Sequence, residues 1–312
     1  MPIALAPSQD LQAGWHQVPH WPGIRSTREQ HIRSGGRRLV DGVSADVAGP
    51  GERDLVADLE EGLWSMYSKF GQVDGAHLVD DAHRLVLESP LRQPPYNSVL
   101  RFRDDGMRPL VDQVVELVDP FRARDVIGAW VVHPTTTPGV RDALTEVGWT
   151  LAEPLHGMAM DLSSLPPLPS VGSGVEVVDP DKQDGTEWVD LISWRYGLAD
   201  EDSAYLRKVF ETHAAHGSRL WTARADGVPL SKAVMNMSGD VAGIFGVATK
   251  DEGRGRGLAR LLTLRALHEA RDRGAAVGVL HSTPMARALY ESIGFRDVAP
   301  FDVWAKPDSV HL

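Results

Sequence analysis

The sequence predicts a mixed α+β fold in two tandem domains, each a central mixed sheet flanked by helices. Three observations lead there. Residues 241–249 read as an apolar strand, followed by a basic glycine turn and a helix over about 257–273. A Pro-, Ser- and Gly-rich stretch at 165–174 divides the chain into two lengths of ordinary domain size. The order strand, helix, Gly-aromatic occurs twice, ending at Gly148-Trp149 and at Gly294-Phe295.

The elements of the C-terminal domain, 175–312, follow from local chemistry. A strand starts at Val175. Helical stretches are expected at 186–196 and 203–213. Strands at 220–224, 230–237 and 241–249 are joined by Ala225-Asp226-Gly227 and Ser238-Gly239-Asp240, both hairpin turns in composition. Leu258, Leu261, Leu262, Leu264, Leu267 and Ala270 recur at helical spacing, and Gly274 supplies the stop. A short strand at 275–280 leads to Ser282-Thr283-Pro284, a hydroxyl cap and a first-turn proline for a helix ending at Gly294. Residues 301–304 read as the last strand of this domain.

The turn Gly253-Arg254-Gly255-Arg256-Gly257 carries the chemistry. The first N–H groups of a helix lack partners within the helix, and the helix dipole makes that end partly positive. A pyrophosphate satisfies both. Glycine lets backbone approach closely, and two arginines add charge. No Gly-x-x-x-x-Gly-Lys-Ser/Thr run is present, and the glycine spacing and late position do not fit a dinucleotide fingerprint.

Arg254-Gly255-Arg256-Gly257-Leu258-Ala259 resembles the Arg/Gln-x-x-Gly-x-Gly/Ala signature of the GNAT superfamily of acyl-CoA N-acyltransferases. Ala288-Leu289-Tyr290-Glu291, followed by Gly294-Phe295, resembles that family's second cofactor motif. The resemblance implies acetyl-CoA, a coenzyme A thioester, as acyl donor. Its pantetheine chain would pair with Val247, Ala248 and Thr249. Its pyrophosphate would rest on Gly255, Arg256, Gly257, Leu258, Ala259 and Arg260, with Arg254 adding charge. Thr283 stands where relatives often carry Asn, and offers fewer groups. The implied reaction is direct attack of a neutral amine on the thioester in a ternary complex. A backbone N–H near Thr249 would stabilise the oxyanion, and Tyr290 would protonate the leaving thiolate. No base is readable, because Gly243, Ile244 and Phe245 carry no titratable group. His281 and Glu252 are candidates, and an ordered water is favoured over both.

Residues 51–164 are expected to be a degenerate copy. No basic glycine loop precedes Ala129, and Leu144 falls where Tyr290 stands. From Pro95-Tyr96-Asn97 to Asp161-Leu162 this half resembles the N-terminal half of tandem GNAT proteins. Residues 1–50 read as an extension. They hold His16, His20 and His31 beside Trp15 and Trp21, at a spacing that matches no metal site. No metal is expected.

Composition narrows the remaining classes. The absence of cysteine excludes disulfides and thiolate chemistry. A net charge of -11 argues against a nucleic-acid partner. No apolar run is long enough to span a membrane, and the start lacks signal-peptide character, so a cytoplasmic monomer or homodimer is expected. Trp188, Trp194 and Tyr196 could wall an acceptor pocket, and Asp200, Glu201 and Asp202 could attract a cation. Core packing and helix capping explain the same residues and are favoured. The acceptor, a small-molecule or peptide amine, is not readable. A non-catalytic acyl-CoA-binding scaffold and a CoA-dependent enzyme of another outcome stay open.

Overall fold

The computed structural model describes residues 53–92, 95–170, 172–198 and 200–306. His16, His20 and His31, with the rest of the N-terminal extension, lie outside the described residues. Residues 53–310 form one compact unit.

The N-terminal half contributes α1 (Leu55–Phe70), β1 (His77–Asp80), β2 (Arg84–Glu88), β3 (Ser98–Phe102), α2 (Leu110–Ala123), β4 (Ala129–Val132), α3 (Val140–Glu146), β5 (Thr150–Glu153) and β6 (His156–Asp161). The C-terminal half contributes β7 (Val175–Val178), α4 (Thr186–Tyr196), α5 (Asp200–Ala215), β8 (Arg219–Ala225), β9 (Val228–Ser238), β10 (Val241–Thr249), α6 (Leu258–Asp272), β11 (Val277–Ser282), α7 (Arg287–Ile293), β12 (Arg296–Pro300) and β13 (Asp302–Ala305). The strands form two mixed sheets, ordered β1-β2-β3-β4-β13-β5 and β12-β6-β11-β10-β9-β8-β7.

The halves exchange strands reciprocally. β6 leaves the N-terminal half and lies between β11 and β12, antiparallel to both. β13 leaves the C-terminal half and lies between β4 and β5. The last strand, read from sequence as part of the C-terminal domain, therefore closes the first sheet. Its alternating pattern fits either sheet equally, because pairing partners are not encoded in strand periodicity.

Four hydrophobic clusters form among the described residues, and three of them seat helices on the two sheets. Val114, Phe121, Trp130 and Leu144 bury α2 and α3 against the first sheet. Leu258, Leu262, Leu264 and Leu267 bury α6 against the second. Leu262 and Leu267 have no exposed surface, so each contributes about 2 kcal/mol of apolar burial. Helix α1 belongs to both sheets: Leu59 and Leu63 cluster with Leu85 and Leu100 of the first and with Val241, Val277 and Val279 of the second. Gly62 permits this approach, since a Cβ there would lie 2.8 Å from Val279 Cγ2.

Two helix starts differ from expectation. Helix α5 begins at Asp200, so Asp200, Glu201 and Asp202 form its first turn, where negative charge opposes the dipole favourably. Helix α7 begins at Arg287 and has no side-chain cap. The Ser282 hydroxyl donates to the Thr283 carbonyl, and residues 284–286 form a turn before the helix.

Candidate active site

The site is built where β10 and β11 part. They pair in parallel only from Val241↔Val277 to Ile244↔Leu280. Beyond Ile244, β10 keeps β9 on one side and has no strand on the other. The register with β9 breaks between Phe245 and Ala248, a bulge in which Gly246 takes φ +56. That left-handed conformation suits glycine, and bulges bend the strand that carries them.

Past the bulge, Ala248 faces Lys232 and Thr249 faces Ser231. The Lys250 N–H donates to the Leu230 carbonyl of β9 at 2.8 Å. Backbone groups alternate direction along an antiparallel pair. The Thr249 N–H therefore points away from β9, toward the open edge. Its hydroxyl shares a hydrogen bond with Ser231 at 2.8 Å, which leaves the backbone N–H as the outward-facing donor.

The glycine turn follows directly. Gly255 and Gly257 have φ of +72 and +74, and a Cβ on either would meet nothing within 4 Å. Gly257 caps α6 with no side-chain hydrogen bond. Among the described residues, the N–H groups of Gly255, Arg256, Gly257, Leu258, Ala259 and Arg260 find no acceptor of normal geometry, the first helical bond being Leu261 N–H to Gly257 O at 2.9 Å. Six donors thus stand without partners at the positive end of a 15-residue helix. The side chains divide the work. Arg254 pairs with Asp251 at 3.0 Å and Arg256 with Asp226 at 3.2 Å, both exposed contacts of the kind that contribute little. The Arg260 guanidinium instead donates to the carbonyl and hydroxyl of Ser292, at 3.0 and 2.8 Å, at the end of α7. Only its backbone faces the turn.

Tyr290 is 6 % exposed, edge-on to Phe295 in the core under α6 and α7. Burial pushes its hydroxyl up to about 12. It stays protonated throughout the working range and is a weaker acid than free tyrosine. The Thr283 hydroxyl makes no hydrogen bond among the described residues, while its carbonyl accepts from Ala286 and Arg287.

His281 sits at the end of β11, its ring 4.4 Å from Phe301 and 6.4 Å from Phe245 between centroids. Both ring nitrogens are buried without a partner. Burial, with a smaller push from His133, drives its pKa down to about 3. A neutral imidazole that resists protonation is a poor proton store. Glu252 is exposed in the short turn after β10. Trp188 is buried against Phe210, whereas Trp194 is 43 % exposed with Lys250 Nζ 6.0 Å from its ring.

Two groups here escaped sequence reasoning. Lys232 on β9 is 5 % exposed, its Nζ donating to Gly246 O at 2.7 Å and lying 5.3 Å from the Trp188 ring centroid. Burial, then Arg195, pushes its pKa down to about 7. Glu153 ends β5 and is raised by burial, against a smaller pull from Arg195. It pairs with Val303 of β13 and lies three residues before β6, whose His156 stands opposite Ser282 at the end of β11. A lone Lys in an apolar strand was the one available signal for the first. Glu153 gave none, because its place depends on the strand exchange.

Residues 186–295 match the Acetyltransferase (GNAT) family model. No curated protein matches the chain. Among solved structures, a tandem GNAT protein from the clavulanic acid biosynthesis pathway, without AcCoA, is 14% identical with a TM-score of 0.54, over 80% of this chain and 94% of that one. A GCN5-related N-acetyltransferase from Sphaerobacter thermophilus is 15% identical with a TM-score of 0.53, over 73% and 82%. At such identities the likeness is one of fold, and it extends across both halves. Residues 186–295 are thus a domain of the GNAT family of acetyltransferases.

Proposed function

We propose that the protein is an acetyl-CoA-dependent N-acetyltransferase that acylates a primary amine of a small molecule or peptide N-terminus by direct transfer in a ternary complex. The observation that carries this is the set of uncapped N–H groups from Gly255 to Arg260, opening beside the unpaired edge of β10. An anion completes the first, and an extended amide chain completes the second as an added strand would.

Acetyl-CoA supplies an acyl group already activated as a thioester. Gly255, Arg256, Gly257, Leu258, Ala259 and Arg260 hold its pyrophosphate through backbone N–H groups. Arg254 and Arg256 exchange their surface carboxylates for phosphate. Val247, Ala248 and Thr249 align the pantetheine, and Thr283 adds a hydroxyl. The Thr249 N–H stabilises charge developing on the acyl oxygen. Tyr290 donates a hydrogen bond to the departing sulfur. With a pKa near 12 it does this better than it surrenders a proton outright, because a thiol is the stronger acid at about 8.5. Glu153, three residues before the strand that flanks β11, is assigned as proton acceptor for the incoming amine, since desolvation raises its basicity.

On this reading residues 175–312 are the catalytic domain, 165–174 a linker, 51–164 a degenerate partner domain and 1–50 an extension. The protein acts in the cytoplasm, as a monomer or homodimer. No helix among the described residues is long and apolar enough to cross a membrane. The experiment is calorimetry of acetyl-CoA on the full chain, with Arg256→Glu beside wild type. Binding that the variant loses supports the reading. An acyl-CoA site elsewhere, or none, removes it. Turnover of a panel of amines, with Glu153→Gln as control, then separates an enzyme from a non-catalytic acyl-CoA-binding scaffold.

A further inference from the structure

We propose that Lys232 is a positioning residue for the acyl end of the site, acting through the Gly246 carbonyl. This rests on the acetyl-CoA reading above and adds a residue to it.

Burying an ammonium costs several kcal/mol unless its hydrogen bonds repay it, and Met would fill the same volume without that cost. The bond that Lys232 makes is to a carbonyl inside the bulge. Gly246 falls between Phe245 and Ala248, where the β9 register is interrupted, so its carbonyl lies outside the paired residues. Lys232 Nζ supplies the missing donor at 2.7 Å. The fit is mutual: a Cβ on residue 246 would lie 3.2 Å from Nζ, and φ is +56 there. The Trp188 ring face closes over the ammonium.

The consequence runs along the backbone. A trans peptide plane sends its C=O and N–H opposite ways. With the Gly246 carbonyl fixed on Lys232, the Val247 N–H points away from the lysine. Four residues later, the Lys250 N–H is fixed on Leu230. The segment that carries the Val247 and Thr249 donors is therefore held by sheet pairing at Phe245 and from Ala248 onward, and by the Lys232 side chain at the bulge between them. Loss of the lysine frees Gly246 and Val247 while the paired residues on either side stay in place.

The test compares two probes, acetyl-CoA and free CoA, which differ only at the acyl end. Calorimetry on wild type, Lys232→Met and Lys232→Arg gives the dissociation constants, with thermal melts alongside. Lys232→Met should weaken acetyl-CoA at least fivefold and CoA less than twofold, and Lys232→Arg, which keeps the donor, should restore the preference. Equal change for both probes, or none, overturns the proposal while leaving the acetyltransferase reading intact. Wild type that binds neither probe ends both. Should Lys232→Met not fold, the wild-type protein still decides the matter. The Nζ resonance of Lys232 should move on addition of acetyl-CoA well beyond its movement with CoA, and identical movement contradicts the role.

Discussion

The molecule contains the same crossing twice, once open and once filled with its own side chains. In the C-terminal half, β10 parts from β11, a glycine turn follows, and α6 starts with bare N–H groups. In the N-terminal half, β3 and β4 pair in parallel only at Ser98↔Ala129 and Val99↔Trp130, and then also part. Here the gap is occupied. His133 Nε2 lies 3.1 Å from the Leu100 carbonyl on the exposed edge of β3, and Nδ1 lies 2.8 Å from Glu60 of α1. The Thr137 hydroxyl accepts from the Asp104 N–H at 2.9 Å. The turn before α2 is Asp104-Asp105-Gly106, and its carboxylates accept from the N–H groups of Gly106, Met107 and Arg108. Where one half leaves room for phosphate, the other supplies the anion itself. A cleft of ≈ 220 Å³ beside this turn is lined by Arg84, Arg103 and Arg108, of which Arg84 is engaged with Asp81 and Arg108 with Asp105 and Glu116. If the open crossing holds a nucleotide as proposed, the comparison teaches that such a site is closed less by changing fold than by satisfying its donors internally.

The sharpest way to break the comparison is a matched pair of glycine substitutions. Gly257→Glu should weaken acetyl-CoA at least 100-fold, through a like charge placed where the pyrophosphate goes and a side chain forced to φ +74. Gly106→Glu, at φ +68 and with equally open space, should leave that affinity within twofold. Calorimetry on both reads the result, and equal losses would mean that the two crossings are not functionally distinct.

The histidines at the two gaps should differ next most. His133 is paired with Glu60, whereas both nitrogens of His281 are buried without partners and its pKa is about 3. His213 is in the same position, also at about 3, through burial first and then Lys69 and His216. An unfolded chain binds a proton at these residues from about pH 6.5. Between pH 6.5 and 3 the unfolded state holds more protons, so stability is full above that window and falls as pH drops through it. Each residue could account for about 4 kcal/mol at the acid end. Urea melts of wild type and His281→Phe over this range should show a shallower acid slope in the variant. An unchanged slope would place the proton uptake elsewhere.

How much of this was legible in the sequence depends on range. The glycine turn, the spacing of Leu258, Leu261 and Leu262, and the stop at Gly274 are local, and each stands where it was expected. The start of α7 was placed early, because a hydroxyl and a proline look the same in a cap and in the turn that precedes one. The exchange of β6 and β13 was not legible, since strand alternation names a face and not a neighbour. Lys232 and Glu153 fall in the same class. Their chemistry comes from the Gly246 bulge and from Arg195, which lie 14 or more positions away along the chain.

Tyr290 and Leu144 align when Gly148-Trp149 is set against Gly294-Phe295 in the sequence, and they should fail in different ways. Tyr290→Phe keeps the ring that packs on Phe295 and removes only the hydroxyl. Its kcat should fall about 10–100-fold with KM for acetyl-CoA nearly unchanged, a single hydrogen bond lost in the transition state. Leu144→Ala empties a fully buried position and should cost about 2–5 kcal/mol of stability, with acetyl-CoA affinity intact in the folded fraction. Steady-state kinetics and denaturant melts on both proteins separate the roles. A Tyr290→Phe protein with full kcat would make that tyrosine a core residue like its counterpart.

The smallest effect tests whether the degenerate turn is merely blocked. Asp104→Ala with Asp105→Ala removes the carboxylates that accept from Gly106, Met107 and Arg108, and leaves Arg108 paired with Glu116. Asp104 is exposed and Asp105 half-buried, and backbone hydrogen bonds hold both carboxylates below the usual carboxylate range. The melting temperature should fall by no more than a few degrees, about what surface turns contribute. Freed N–H groups alone should not recruit acetyl-CoA, because His133 and Thr137 still fill the strand gap that the acyl-bearing chain would need. Calorimetry that finds one acetyl-CoA per chain in the double variant agrees with this. A second site would show that two carboxylates were all that kept the N-terminal copy closed.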